Sequence, residues 1–265
     1  MLHSRVTAGH SRARGLVGAS WADHPGRVGL WSELAELLLP PTCAGCGAET
    51  VSLCGVCLSH LDSPPRWSLP RYGTQRVCGA GEYTGVLREV LVSYKARDRR
   101  DVLPVLGLVL ARTIVAALAE SAGVEPARGL VLVPVPASAR SARERGGNHV
   151  AALAGAACRL LGADGLDARV GELLRVRGAH RDQVGQGSRG RRANVRGTHA
   201  VADPAAARRL VALRPVVVLV DDICTTGATL AEAARALGRV QIQVDSIAVL
   251  AITGDAAHRD TPAGM

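Results

Sequence analysis

The run from Val216 to Leu230, VVVLVDDICTTGATL, constrains the fold more than any other part of this chain. Val216, Val217, Val218, Leu219 and Val220 form a continuous, mainly β-branched stretch, the pattern of a strand buried on both faces of a parallel sheet. Asp221 and Asp222 close that stretch at its carboxyl end, where ligands of open α/β sheets sit. Carboxylates there can accept hydrogen bonds from vicinal hydroxyls of a ribose or help place a divalent cation. Thr225, Thr226, Gly227, Ala228 and Thr229 follow, bringing hydroxyl donors, a permissive glycine and backbone N–H groups to the start of a helix, a suitable cradle for an anion. A plainer reading makes the two acids strand-end groups and Thr226 or Thr229 an ordinary N-cap. No Walker lysine accompanies the turn, which argues against a nucleoside triphosphatase.

A chain of 265 residues can hold one sizeable core plus a small accessory module. Its formal charge of +9 favours phosphates, phosphorylated sugars or nucleic acid without choosing among them. Lys95, in YKARDRR, is the only lysine among 32 Lys and Arg residues, and phenylalanine is absent, as a GC-rich coding bias would produce. Three Trp and three Tyr are too scattered for a stacking platform on single-stranded nucleic acid. The longest hydrophobic stretch, Val102 to Ala119, contains Pro104, Gly107 and Arg112 and reads as a buried or amphipathic helix, so no membrane span is expected.

Four of the seven cysteines form Cys43-x-x-Cys46 and Cys54-x-x-Cys57. Each pair can bring two thiolates to one ion from a tight turn, and two pairs complete a tetrahedral site, structural because no coordination position stays open. Disulfides are the competing reading. The first 27 residues lack the apolar stretch of a secretion signal, which favours a reducing, cytoplasmic setting and hence a metal. Residues 1–27 read as a disordered tail or an overlong start. Of the isolated cysteines, Cys78, Cys158 and Cys224, only Cys224 falls within the acidic turn.

Further elements follow from periodicity. Trp31 to Leu39 has helical spacing and leads into the cysteine module, giving a unit over 28–62. Residues 63–76 read as a linker, overlapping the proline-rich Ser59 to Tyr72 stretch. A main domain is expected over 77–253, with a tail at 254–265. In it, Val77 to Tyr83 reads as a strand, Gly85 to Ala96 and Val102 to Ser121 as helices, Leu130 to Val135 as a strand and His149 to Leu161 as a helix. Arg169 to Val176, Thr198 to Ala202 and Ile242 to Leu250 supply further strands, giving a doubly wound α/β sheet. Between Pro136 and Asn148 lie Arg140, Arg143 and Arg145, a basic loop suited to pyrophosphate oxygens or a solvated face. Arg177 to Gly197 is a polar loop with six arginines and five glycines, a candidate lid.

Taken in order, the four-cysteine module, YKARDRRD (Tyr94 to Asp101), VPVP…RERGGN (Val133 to Asn148), LLRVRGAHRDQ (Leu173 to Gln183), RRANVRG (Arg191 to Gly197) and VDDICTTGAT resemble the ComF family. The resemblance spans Trp31 to about Leu250. It implies a type I phosphoribosyltransferase-like fold with an N-terminal zinc ribbon, a site for phosphoribosyl pyrophosphate (PRPP) with Mg²⁺, and a link to DNA uptake in naturally competent bacteria. By that likeness Asp221 and Asp222 would be the catalytic acids on the ribose. Thr225, Thr226, Gly227, Ala228 and Thr229 would hold the 5′-phosphate. Val135, Pro136 and Ala137 would form the pyrophosphate loop with Arg143, Arg145 and Asn148, while Arg175, Gln183, Arg191 and Asn194 would lie on or beside the flexible loop. Lys95 joins them as a candidate ligand-binding cation. Two positions depart from the family pattern: RGFN reads Arg145-Gly146-Gly147-Asn148, losing an aromatic packing group, and a leucine usual after the loop glutamine is Gln186.

Three functions fit these residues. One is a phosphoribosyltransferase, a pentosyl-type glycosyltransferase displacing pyrophosphate from PRPP with an amine whose identity the sequence does not give. The second is a non-catalytic module binding single-stranded DNA and a DNA-uptake helicase. The third is a PRPP-sensing regulator.

Overall fold

The computed structural model describes residues 42–49, 51–121, 123–137, 147–177 and 197–254. The Trp31 to Leu39 helix, the 1–27 tail and most of the 254–265 tail lie outside them.

At the centre is a six-stranded sheet in the order β1-β2-β8-β7-β3-β4. Its strands are β1 (Arg66–Ser68), β2 (Val77–Glu82), β3 (Leu130–Pro134), β4 (Ala168–Val170), β7 (Val216–Cys224) and β8 (Ser246–Ile252). All neighbours run parallel except β1, which pairs antiparallel with β2 through Arg66↔Gly79 and Ser68↔Val77. The 63–76 stretch is therefore more than a linker, because it contributes an edge strand to the main sheet. A separate two-stranded antiparallel pair, β5 (Leu174–Val176) and β6 (His199–Val201), brackets the segment 178–196.

Helices cover both faces. On one lie α2 (Gly85–Ala96), α3 (Leu103–Ala119) and α4 (His149–Ala163), which share a core with Val216, Val218 and Val220 of β7. On the other lie α5 (Pro204–Leu213) and α6 (Ala228–Gly238), packed with Val217 and Leu219. This is why β7 reads as an unbroken apolar run: alternate residues enter two different cores. The helical run Arg100–Ala119, which ends in α3, is by length and composition apolar enough to cross a bilayer, and it is mostly buried in the protein. It crosses α4 closely, since a Cβ at Gly107 would sit 2.5 Å from that of Ala156.

Several elements differ from the sequence expectation. The single strand over Arg169 to Val176 is two, in different sheets. Gly171 donates its N–H to the Leu132 carbonyl (2.8 Å), and a Cβ there would sit 2.7 Å from Val131, so the chain hugs β3 and then turns away. The last strand starts at Ser246 rather than Ile242, after Asp245 accepts the Val217 N–H (2.8 Å). Helix α5 is not foreseen, although Asp203-Pro204 is a legible start signal: Asp203 accepts the N–H groups of Ala205 and Ala206 at 2.8 and 3.1 Å.

Candidate functional site

Adjacent strands β3 and β7 send the chain in opposite directions. From β3 it passes through α4 on one face to β4; from β7 it passes through α6 on the other face to β8. The carboxyl ends of β3 and β7 therefore flank a topological switch point, the position where an open α/β sheet leaves a crevice.

Strand β7 continues four residues past Val220, so both acids lie within it rather than after it. Asp222 is 5% exposed on the α2/α4 side, where its Oδ2 meets Lys95 Nζ at 2.6 Å and the Nε2 of His149. Lys95 comes from the last turn of α2 and His149 from the first residue of α4. Asp221 is half-buried and accepts the Asp222 N–H at 2.9 Å.

The two acids titrate apart. Burial pushes the Asp221 carboxyl well above the usual carboxylate range, and the charge of Asp222 adds to it. Burial also raises Asp222, but the hydrogen bond with His149 and the charge of Lys95 more than offset it and hold it below that range. Pairs of acids driven apart in this way are typical of sites where one carboxyl stays ionised and its neighbour holds a proton.

After the acids comes the turn. Gly227, at φ +76°, is the N-cap of α6, and no side chain caps the helix, so neither Thr226 nor Thr229 has the capping role. Thr225 is exposed, while Thr226, Ala228 and Thr229 are half-buried around the helix start. The turn is backed by the Pro70 to Tyr72 segment: Tyr72 donates its N–H to the Thr226 carbonyl at 2.9 Å. A Cβ at Gly227 would stand 2.5 Å from the Pro70 Cβ and 2.6 Å from the Tyr72 carbonyl oxygen. Gly227→Ala is accordingly expected to cost about 2 kcal/mol or more through the left-handed backbone and the clash together. Thermal melting against the wild type checks it. Cys224, within the turn by sequence, is 1% exposed, and burial pushes its thiol up to about 12, so it is an inert core residue.

On the β3 side, Val135 is buried and donates its N–H to the Val220 carbonyl (2.9 Å), while Pro136 and Ala137 are half-buried. Asn148 caps α4 by accepting the Val150 N–H (3.1 Å) and reaches back to the Val135 carbonyl (3.4 Å), clamping both ends of the intervening loop. Arg143 and Arg145 lie outside the described residues, as do Gln183, Arg191 and Asn194. Arg175 is exposed on β5, in the small second sheet. Both ends of the 178–196 segment are pinned: Arg177 donates its N–H to Thr198 (2.6 Å), and Gly197 donates to buried Glu232 (2.8 Å).

His149 is the member the sequence reading overlooks. It appears there only as the first residue of an alanine-rich helix, and its partner lies 73 residues away. Tyr94 OH donates to the His149 carbonyl at 3.1 Å, and the Nδ1 of His149 is buried without a hydrogen-bond partner among the described residues.

The second site is the cysteine cluster. The sulfurs of Cys43, Cys46, Cys54 and Cys57 all lie within 4.8 Å of one another. Cys46 and Cys54 are 3.7 Å apart, against the edge of about 3.8 Å that follows from a tetrahedron with Zn–S of about 2.3 Å. The first pair sits on a turn closed by Gly47 N–H to Cys43 carbonyl (2.8 Å). The second pair opens helix α1 (Gly55–Leu61) rather than a second tight turn. Backbone N–H groups of Cys54, Cys46 and Gly45 outweigh burial and lower the Cys43 thiol to about 6. Burial and the neighbouring sulfurs push Cys57 up. With Cys43 ionising readily and all four sulfurs within reach of one ion, the four cysteines can bind a metal such as zinc. A Cβ at Gly45 would sit 2.7 Å from the Cys57 sulfur. Gly45→Ala is expected to lower metal content at least severalfold with the sheet intact, read by metal analysis and circular dichroism.

No protein-family model matches the chain, and no curated protein matches it.

Proposed function

We propose that the crevice between β3 and β7 binds a pyrophosphorylated ribose, PRPP, with Mg²⁺, on a type I phosphoribosyltransferase-like framework, and that a structural zinc ion occupies the cysteine cluster of a cytoplasmic protein. The observation that carries this reading is the coincidence of an acidic pair and a TTG turn opening a helix at the switch point of a mainly parallel sheet. The resemblance to the ComF family points the same way.

The residues divide the work. Asp221, which no ion pair engages among the described residues, faces the ribose hydroxyls as an acceptor. Asp222 is kept ionised by Lys95 and His149 and sets the charge balance of the crevice. The turn from Thr225 to Thr229 offers hydroxyls and helix-start N–H groups to the 5′-phosphate, and the chain after Val135 borders the pyrophosphate. Mg²⁺ would arrive on pyrophosphate oxygens and neutralise their charge. If turnover occurs, an amine displaces pyrophosphate at the anomeric carbon.

Calorimetry with Mg²⁺ and PRPP on zinc-loaded protein tests the reading, with Asp221→Asn as the control because that variant keeps the Lys95–Asp222–His149 cluster. Binding weakened about tenfold or more in the control is expected, the factor that loss of one charge-assisted hydrogen bond supplies. Because Asp221 holds a proton above the usual range, binding that needs its carboxylate should also release protons, visible as a dependence on buffer ionisation heat. Absence of PRPP binding, together with single-stranded DNA binding that falls steeply with salt, would instead favour the DNA-binding alternative.

A further inference from the structure

Three consecutive residues in the last turn of α2 contact three different parts of the molecule. Ser93, 1% exposed, donates its hydroxyl to the Ala44 carbonyl (3.2 Å), inside the first cysteine turn. Tyr94 reaches the His149 carbonyl, and Lys95 reaches Asp222. The chain then folds back: the Ser93 carbonyl accepts N–H groups from Arg97 and Arg99 (both 3.2 Å), across Asp98 in a left-handed conformation at φ +50°. Arg99 grips Asp101 with two hydrogen bonds, 2.8 and 2.6 Å, and donates a third to the Thr42 carbonyl at 2.9 Å. Ala44 and Leu61 of the cysteine module enter the same core as Leu87, Val90, Leu91 and Tyr94 of α2. The cysteine cluster and the acidic crevice are thus joined by one helical turn.

We infer that Ser93 and Arg99 are positioning residues through which the metal-bound cysteine module fixes the end of α2 and so seats Lys95 on Asp222. The carbonyls of Thr42 and Ala44 flank a metal-ligating cysteine, so their placement follows the order of that turn. When the turn loosens, Ser93 and Arg99 lose their acceptors together, and the end of α2 keeps only its core packing, the Tyr94 hydrogen bond and the Lys95 ion pair. The consequence for ligand affinity rests on the function proposed above; the positioning itself does not.

The composition supplies a direct readout. Lys95 is the only lysine, so acetylation of its ε-amine by an amine-selective reagent, followed by peptide mass spectrometry, reports on this one contact. Full-length zinc-loaded protein is expected to label slowly. Protein stripped by a chelator should label roughly tenfold faster, the factor associated with loss of about one net hydrogen bond. Ser93→Ala and Arg99→Ala, kept at full zinc occupancy, should also label faster with their main melting transition retained, and Ser93→Thr should return towards the wild-type rate. Wild-type labelling rates in both alanine variants and in stripped protein overturn the positioning role, whatever happens to stability. PRPP calorimetry on the same samples separates the two readings. Labelling that responds in a protein that never binds PRPP sinks the proposed function and leaves the positioning standing. PRPP bound equally by all samples, with labelling unchanged, sinks the positioning alone.

Discussion

Asp222→Ala is expected to destabilise the protein by about 3 to 5 kcal/mol, because it removes the shared partner of two groups that stay behind in a largely buried setting. Lys95 and the Nε2 of His149 converge on one carboxylate oxygen, and the side chain of Asp222 is 7% exposed. Asp221→Asn, one residue away, should do the opposite and stabilise by about 0.5 to 2 kcal/mol, as replacement of strained functional groups commonly does. The pH dependence follows the same division. Asp222 has a lowered folded-state pKa, so its contribution is present above the unfolded carboxylate value of about 3.9 and is lost as pH falls through the folded value. Asp221 has a raised one, so its contribution is present below about 3.9 and is lost as pH rises through the folded value. The advantage of Asp221→Asn should therefore grow on going from pH 4 towards neutrality, whereas the deficit of Asp222→Ala should shrink on acidification. Denaturant titrations of the three proteins at several pH values decide this. Equal effects of the two substitutions would mean that the acids are equivalent, against the geometry.

Removal of metal from the cysteine cluster should have the second large effect. A metal present at about a thousand times its dissociation constant contributes about 4 kcal/mol, or about 10 °C of melting temperature in a chain of this size. Chelation is expected to lower the melting temperature by about that much, and Cys57→Ser should reproduce it, since Cys57 is 1% exposed and cannot be replaced by a surface thiol. The loss reaches beyond the module because Ser93 and Arg99 donate into it. A melting curve that ignores chelator, at a verified zero metal content, would remove the structural role.

Much of the framework was legible from pattern alone. Residues 85–96 form the helix expected from their spacing, Leu130 and Val216 open buried parallel strands, and the four cysteines converge, because each of these features is local: apolar period, β-branching and a two-residue gap between thiols. The misses share a cause. The split of Arg169 to Val176 depends on how closely Gly171 approaches β3, and the edge strand at Arg66 depends on β2 offering a partner. Sequence by itself determined the mixed α/β class with a mainly parallel sheet, the acidic pair with its glycine turn and the four cysteines that could hold a metal, since side-chain type and spacing decide those. Only the tertiary structure decided that Lys95 and His149 both choose Asp222 and that no ion pair engages Asp221 among the described residues. Packing of α2 and α4 against β7 brings residues far apart in sequence to one oxygen atom, a convergence that neither periodicity nor spacing along the chain encodes.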